Sequence, residues 1–104
     1  MKDIRQFKLK SKLWVYPGKA AWHFITVPET QSKVIAARFG LLKRGWGSLP
    51  VEVLIGKTKW QTSIFPDKKR KGYLLPIKSE IRKKESLVAG DLLVLNLKIL
   101  VTFD

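Results

Sequence analysis

The chain has 104 residues, 45% of them hydrophobic and 28% charged, which is the size and balance of one globular domain. It has no Cys and a single His, which excludes disulfide frameworks, zinc–thiolate sites, thiol nucleophiles and multi-histidine metal centres. Lys and Arg number 21 against 8 Asp and Glu, a net charge of +13, and no apolar run approaches the roughly 20 residues needed to cross a bilayer.

The positive charge is uneven. Residues 1–19 carry a net +5, residues 20–65 +4, residues 66–84 +6 and residues 85–104 −2. The run Lys68-Lys69-Arg70-Lys71 stands out, and such a field attracts phosphates, nucleic acid or anionic headgroups. Met1 to Leu13 alternates charged and apolar residues and lacks the unbroken apolar stretch of a signal peptide. A cytoplasmic domain without membrane attachment is the expectation.

In chain order, Phe7–Leu13 alternates with period two and predicts a strand with Phe7, Leu9 and Leu13 inward and Lys8, Lys10 and Lys12 outward. Tyr16-Pro17-Gly18-Lys19 is a turn. Ala21–Val27 predicts a second strand, with Trp22, Phe24 and Thr26 on one face and Ala21, His23, Ile25 and Val27 on the other. Trp14, Trp22 and Trp60 are expected in the core or the barrel wall. A helix is predicted at 29–39, opened by Pro28-Glu29 and stopped at Gly40. Val51–Ile55 and Lys59–Phe65 predict a hairpin through Gly56-Lys57. A basic loop follows at 66–72, then a short strand at Tyr73-Leu74-Leu75. Ser79 is expected to cap a short helix reaching Lys84 or Glu85. Leu92–Phe103 is a long apolar strand suited to a central position. Short strands and two small helices predict a mainly β fold, a small closed barrel over residues 1–104 as one domain.

Enzyme signatures are missing. Gly56-Lys57-Thr58 lacks the Gly five residues earlier and the following helix that a phosphate-binding loop requires. Gly45-Trp46-Gly47-Ser48 lacks the second Gly of a nucleophile elbow and leads into a strand. The acidic residues form no paired-carboxylate motif. Lys71-Gly72-Tyr73 opens like an RNA-recognition strand, but Leu74, Leu75 and Pro76 break that pattern. The sequence therefore assigns no catalytic residue, no metal ligand and no cofactor.

What survives is a mixture of basic and aromatic residues. If the two hairpin strands pair, both open ends lie at one edge, bringing Arg44, Trp46 and Ser48 near Ser63, Lys68, Lys69, Arg70, Lys71 and Tyr73. Cations there would hold phosphates while Trp46 or Tyr73 stacks a base. Taken alone, Trp46 is better suited to plugging a barrel end, because large aromatics usually fill cores.

Leu13–Phe24, Arg44–Val51, Thr62–Lys69 and Tyr73–Pro76 together resemble, in order and over nearly the full chain, the bacterial family catalogued as Domain of Unknown Function nineteen-oh-five. Its members occur alone or fused to bacteriocin-protection segments of the YdeI/OmpD-associated kind. The resemblance implies a closed β-barrel related to split barrels and implies no activity. Lys71 stands where members of that family are expected to carry Gly.

The reading reached from sequence is a non-enzymatic binding domain for an anionic ligand, nucleic acid or another polyanion, at the 44–48 and 67–73 edge. One alternative is a small-molecule or enzymatic pocket built from His23, Arg44, Trp46, Ser63 and Tyr73. Another is a protein-interaction or stress-protection domain, whose protein partner the sequence does not name.

Overall fold

Alternation of apolar and polar residues builds the walls. In the computed structural model, which describes residues 3–18, 20–42 and 47–101, six strands form in the order β1 (Gln6–Val15), β2 (His23–Thr26), β3 (Leu49–Ile55), β4 (Thr58–Asp67), β5 (Gly72–Pro76) and β6 (Leu92–Ile99). Helix α1 (Glu29–Phe39) and a 3-10 turn at Gly40–Leu42 separate β2 from β3, and helix α2 (Ser79–Lys84) separates β5 from β6. The strands close a barrel in the spatial order β1-β2-β5-β4-β3-β6, and every pairing is antiparallel. The closed barrel with two helices is the architecture the sequence predicts.

Two strands do double duty. The first part of β1 pairs with β6, from Gln6↔Lys98 to Lys12↔Leu92, and its last three residues pair with β2. Likewise β4 pairs with β3 through Ile64 and with β5 from Phe65 onward. The barrel is thus two walls: β6 and β3 with the first parts of β1 and β4, and β2 and β5 with their second parts. Leu9, Leu13, Ile25, Leu49, Val51, Val53, Ile64, Leu75, Leu95, Leu97 and Ile99 point inward and are at most 1% exposed. Each such side chain contributes about 1.5–3 kcal/mol by leaving water.

The helices close opposite ends. Helix α1 buries Ile35 and Phe39 and is tied to the start of β1 by Gln31 Nε2 donating to the Lys8 carbonyl (2.8 Å) and Arg38 Nη1 to that of Ile4 (2.8 Å). Its Ser32 hydroxyl, 4% exposed, donates to the Val27 carbonyl (3.0 Å) and accepts from the Tyr73 amide (3.2 Å). A Cβ at Gly72 would meet both Ser32 Oγ and the Val27 carbonyl at 3.0 Å, so the start of β5 needs a glycine to approach α1 this closely. Helix α2 buries Ile81 at the other end, beside the β3–β4 turn, where Thr58 Oγ1 donates to the Glu85 carboxylate (2.7 Å). Gly56 in that two-residue turn has φ +55°, and a side chain there would collide with Glu85.

Several boundaries differ from the sequence reading. The helix at 29–39 is as predicted. Strand β2 starts only at His23, because Ala21 takes a positive φ of 48° that no strand continues through. Strand β4 runs on to Asp67, which narrows the basic loop to a turn at 68–71. Ser79 is the first helical residue; the N-cap is Lys78, and no side chain caps the helix. Strand β6 has neighbours on both sides, but its outer face is open: Leu92 and Val94 are exposed while Leu93 and Leu95 are buried. Barrel closure hydrogen-bonds a strand fully without covering its outer face. Strand β6 ends at Ile99, short of the expected Phe103, with Leu100 and Val101 already outside it; residues 102–104 lie beyond the described residues.

Candidate nucleic-acid interface

The outer face of the β2–β5 wall is built from aromatic and apolar residues. Trp14 pairs across to Phe24, Phe24 to Pro76, Thr26 to Leu74, and Leu74 to Phe65, so these side chains share one surface. Trp22, just before β2, and Tyr16, just after β1, extend it. Trp14 and Phe24 rings lie 5.4 Å apart and Trp14 and Tyr16 6.2 Å, both tilted. Tyr16 meets Phe24 edge-on at 6.5 Å, and Trp22 stacks almost parallel to Phe24 at 6.3 Å. Trp14 is anchored by its indole N–H donating to Thr26 Oγ1 (3.0 Å). Between Tyr16, Trp22, Phe24, Phe65, Leu74 and Pro76 lies an open groove of about 430 Å³. Trp22 is 60% exposed, Tyr16 47% and Phe65 42%. The expectation that Trp22 belongs to the core or wall is corrected here: Ile25 and Val27 take the inward face, which turns Trp22 and Phe24 outward.

The basic turn adjoins this surface. Asp67 organises it, its Oδ1 accepting from the Lys69 amide (3.1 Å) and its Oδ2 from Arg70 Nη1 (2.8 Å). The bond from Arg70, with help from the Lys69 amide, holds the Asp67 carboxyl below its ordinary pKa. Arg70 then lays its guanidinium over the Trp14 ring, 4.3 Å from the centroid. Lys68, Lys69 and Lys71 stay exposed around it. Lys71 adopts φ +51°, the left-handed region that favours glycine, at the position where the resemblance leads one to expect Gly.

The remaining candidates separate. Ser63 lies on β4 opposite Pro50, half-buried, and Ser48 lies one residue before the Leu49↔Ile64 pair, at the open end of the hairpin as expected. Arg44 and Trp46 lie outside the described residues. Tyr73 is 8% exposed, and burial raises its hydroxyl pKa; its ring turns into the core and offers no stacking face, which corrects that expectation. His23 sits at the other end of β2. The Ile77 amide donates to the His23 carbonyl and the Val27 amide to that of Tyr73, so the two residues mark opposite ends of the β2–β5 ladder, about 13 Å apart at strand rise. The described members of the alternative pocket, His23, Ser63 and Tyr73, are therefore not brought together. The His23 ring instead has Nδ1 2.7 Å from the Ala21 carbonyl and Nε2 3.4 Å from Arg82 Nη1. A guanidinium only donates, so Nε2 accepts and Nδ1 carries the proton.

Among the described residues, no cluster of three or more His, Asp or Glu could hold a metal ion, and no helix is long and apolar enough to cross a membrane. No buried side-chain nitrogen or oxygen there lacks a hydrogen-bond partner. The chemistry this surface offers is cation and aromatic ring, side by side. No curated protein matches the chain. Residues 10–97 match the family described as "Domain of unknown function (DUF1905)", which spans most of the chain, and the protein belongs to that family.

Proposed function

We propose that this DUF1905 barrel is a non-enzymatic binding domain for nucleic acid, held through the basic β4–β5 turn and the aromatic surface beside it. The observation that carries this reading is the Arg70 guanidinium lying over Trp14. It makes the most basic segment of the chain continuous with an exposed aromatic surface, the pairing that phosphate and base together require. Arg70 serves mainly to fix the turn, because it is already engaged by Asp67 and Trp14; Lys68, Lys69 and Lys71 supply the charge that reaches a phosphate.

The test is fluorescence anisotropy with labelled oligonucleotides, at low and at physiological salt, on the wild type and on a triple Lys68→Glu, Lys69→Glu, Lys71→Glu variant that keeps Arg70. Saturable binding that survives physiological salt, and falls at least ~10-fold in the variant while its circular dichroism is unchanged, supports the reading. Equal affinity in both proteins, or attraction confined to low salt, overturns it.

A further inference from the structure

We infer that the aromatic groove is a base-binding site that selects single-stranded over duplex nucleic acid, with the strand running along β5 from the β4–β5 turn toward α2. The inference rests on the binding reading above and assigns its specificity. All six residues lining the groove are aromatic or apolar, so the groove itself carries no formal charge and no carboxylate to repel a polyanion. Its two ends are cationic. At the start of β5 stand Lys68, Lys69 and Lys71. Past the end of β5, a second depression of about 260 Å³ shares Trp22 and Pro76 with the groove and is lined by Lys78 and Arg82. From Lys71 to Lys78 the chain covers roughly 20 Å at strand rise, a length that suits about four nucleotides, the short end of what single-strand-binding barrels take.

The arrangement fits that occupant better than others. An apolar groove flanked by ammonium and guanidinium groups at both ends complements a chain whose apolar rings alternate with anions, and an unpaired strand is such a chain. Duplex DNA keeps the faces of its bases stacked inside and presents only its backbone and base edges, so it could use the two ends and leave the groove empty. A second copy of this protein would bring a net +13 surface against its like. Trp22 and Phe65 leave 60% and 42% of their surface open to solvent, Trp22 lying almost parallel to Phe24.

The experiment compares three probes of equal length: an oligothymidylate, a duplex, and an abasic oligonucleotide that has the phosphates without the bases. The protein variants are Trp22→Ala/Phe65→Ala and the lysine-turn triple variant. The expected result is oligothymidylate bound at least ~10-fold tighter than the abasic strand, with the aromatic double variant losing that margin and keeping its abasic and duplex affinities within about twofold. A second readout needs no variant: on adding oligothymidylate, the indole N–H resonance of Trp22 shifts while that of Trp60, on the opposite wall, stays in place. Equal affinity for abasic strand and oligothymidylate, or an unmoved Trp22 resonance, overturns the groove assignment and leaves standing only binding through the lysine turn. Binding to none of the three probes overturns both. A monomer–dimer equilibrium abolished by the aromatic double variant, with no preference for bases, would overturn the inference in favour of a second copy as the occupant.

Discussion

The two walls of the barrel are alike inside and unlike outside. Inward, both present branched aliphatic side chains at 0–1% exposure, Val51, Val53 and Leu95 on one wall and Ile25 and Leu75 on the other. Outward, the β6–β3 wall places Lys10 beside Val94 and Lys12 beside Leu92, so its exposed apolar residues are interleaved with ammonium groups. The β2–β5 wall has no lysine among its strand residues: Trp14, Phe24 and Pro76 run across it, with Leu74 and Phe65 alongside and Arg70 reaching over Trp14 from the turn. A scattered exposed Leu is ordinary in any folded protein, whereas a contiguous apolar patch calls for an occupant. The difference between the walls is therefore one of continuity more than of composition.

The strongest way to break this comparison is to measure what each face contributes to folding. Ile25→Ala, at the buried face of β2, is expected to cost about 2–5 kcal/mol in urea denaturation. Trp22→Ala, three residues earlier and 60% exposed, is expected to cost under about 1 kcal/mol. Equal losses would make the aromatic surface a structural layer and remove the basis for a binding face. A second cut separates the β2–β5 wall from its helix: Ser32→Ala removes the acceptor for the Tyr73 amide and is expected to cost about 1–3 kcal/mol, with faster hydrogen exchange at that amide. Smaller is Lys71→Gly. Relieving the left-handed φ of a non-glycine residue is expected to raise stability by up to about 1 kcal/mol while oligonucleotide affinity falls by no more than one phosphate contact explains.

The smallest effect is on pH. The Asp67 carboxyl is held below its ordinary value of 3.8 by Arg70 and the Lys69 amide, so the stability it contributes is complete above that pH and disappears as the pH falls through the lower, folded value. Asp67→Asn is expected to flatten that acid limb in a series of denaturation curves. It would also free Arg70 from the turn, which reports whether the cation over Trp14 depends on the carboxylate.

The inner half of the molecule was legible in the sequence because period-two alternation sorts side chains by face. Leu9 and Leu13 are buried where the pattern puts them, and the helix and the Gly56-Lys57 hairpin follow from local signals alone. Alternation does not say which face is inner when both are apolar. Trp22-His23-Phe24-Ile25 is such a segment, and the expectation that large aromatics fill cores led away from the groove. Tyr73 shows the converse: the basic neighbours Lys68–Lys71 suggest an exposed residue, while the Val27 and Ser32 hydrogen bonds at the start of β5 hold it inward. The second cationic end, Lys78 and Arg82, carries no signal in the sequence, because only the β2–β5 pairing brings α2 against Trp22. Arg70 over Trp14 joins residues 56 positions apart, and no local pattern carries that information.

Because β1 and β4 each serve both walls, the border between the two surface chemistries falls inside single strands, between Lys12 and Trp14 on one and between Ser63 and Phe65 on the other. Two residues of sequence are the whole seam. Substitutions at outward positions on one side of it can change that wall's surface chemistry without touching the other wall or the shared interior. A barrel divided in this way lends itself to grafting, with the lysine-bearing side kept as a soluble backing and the aromatic side rewritten position by position.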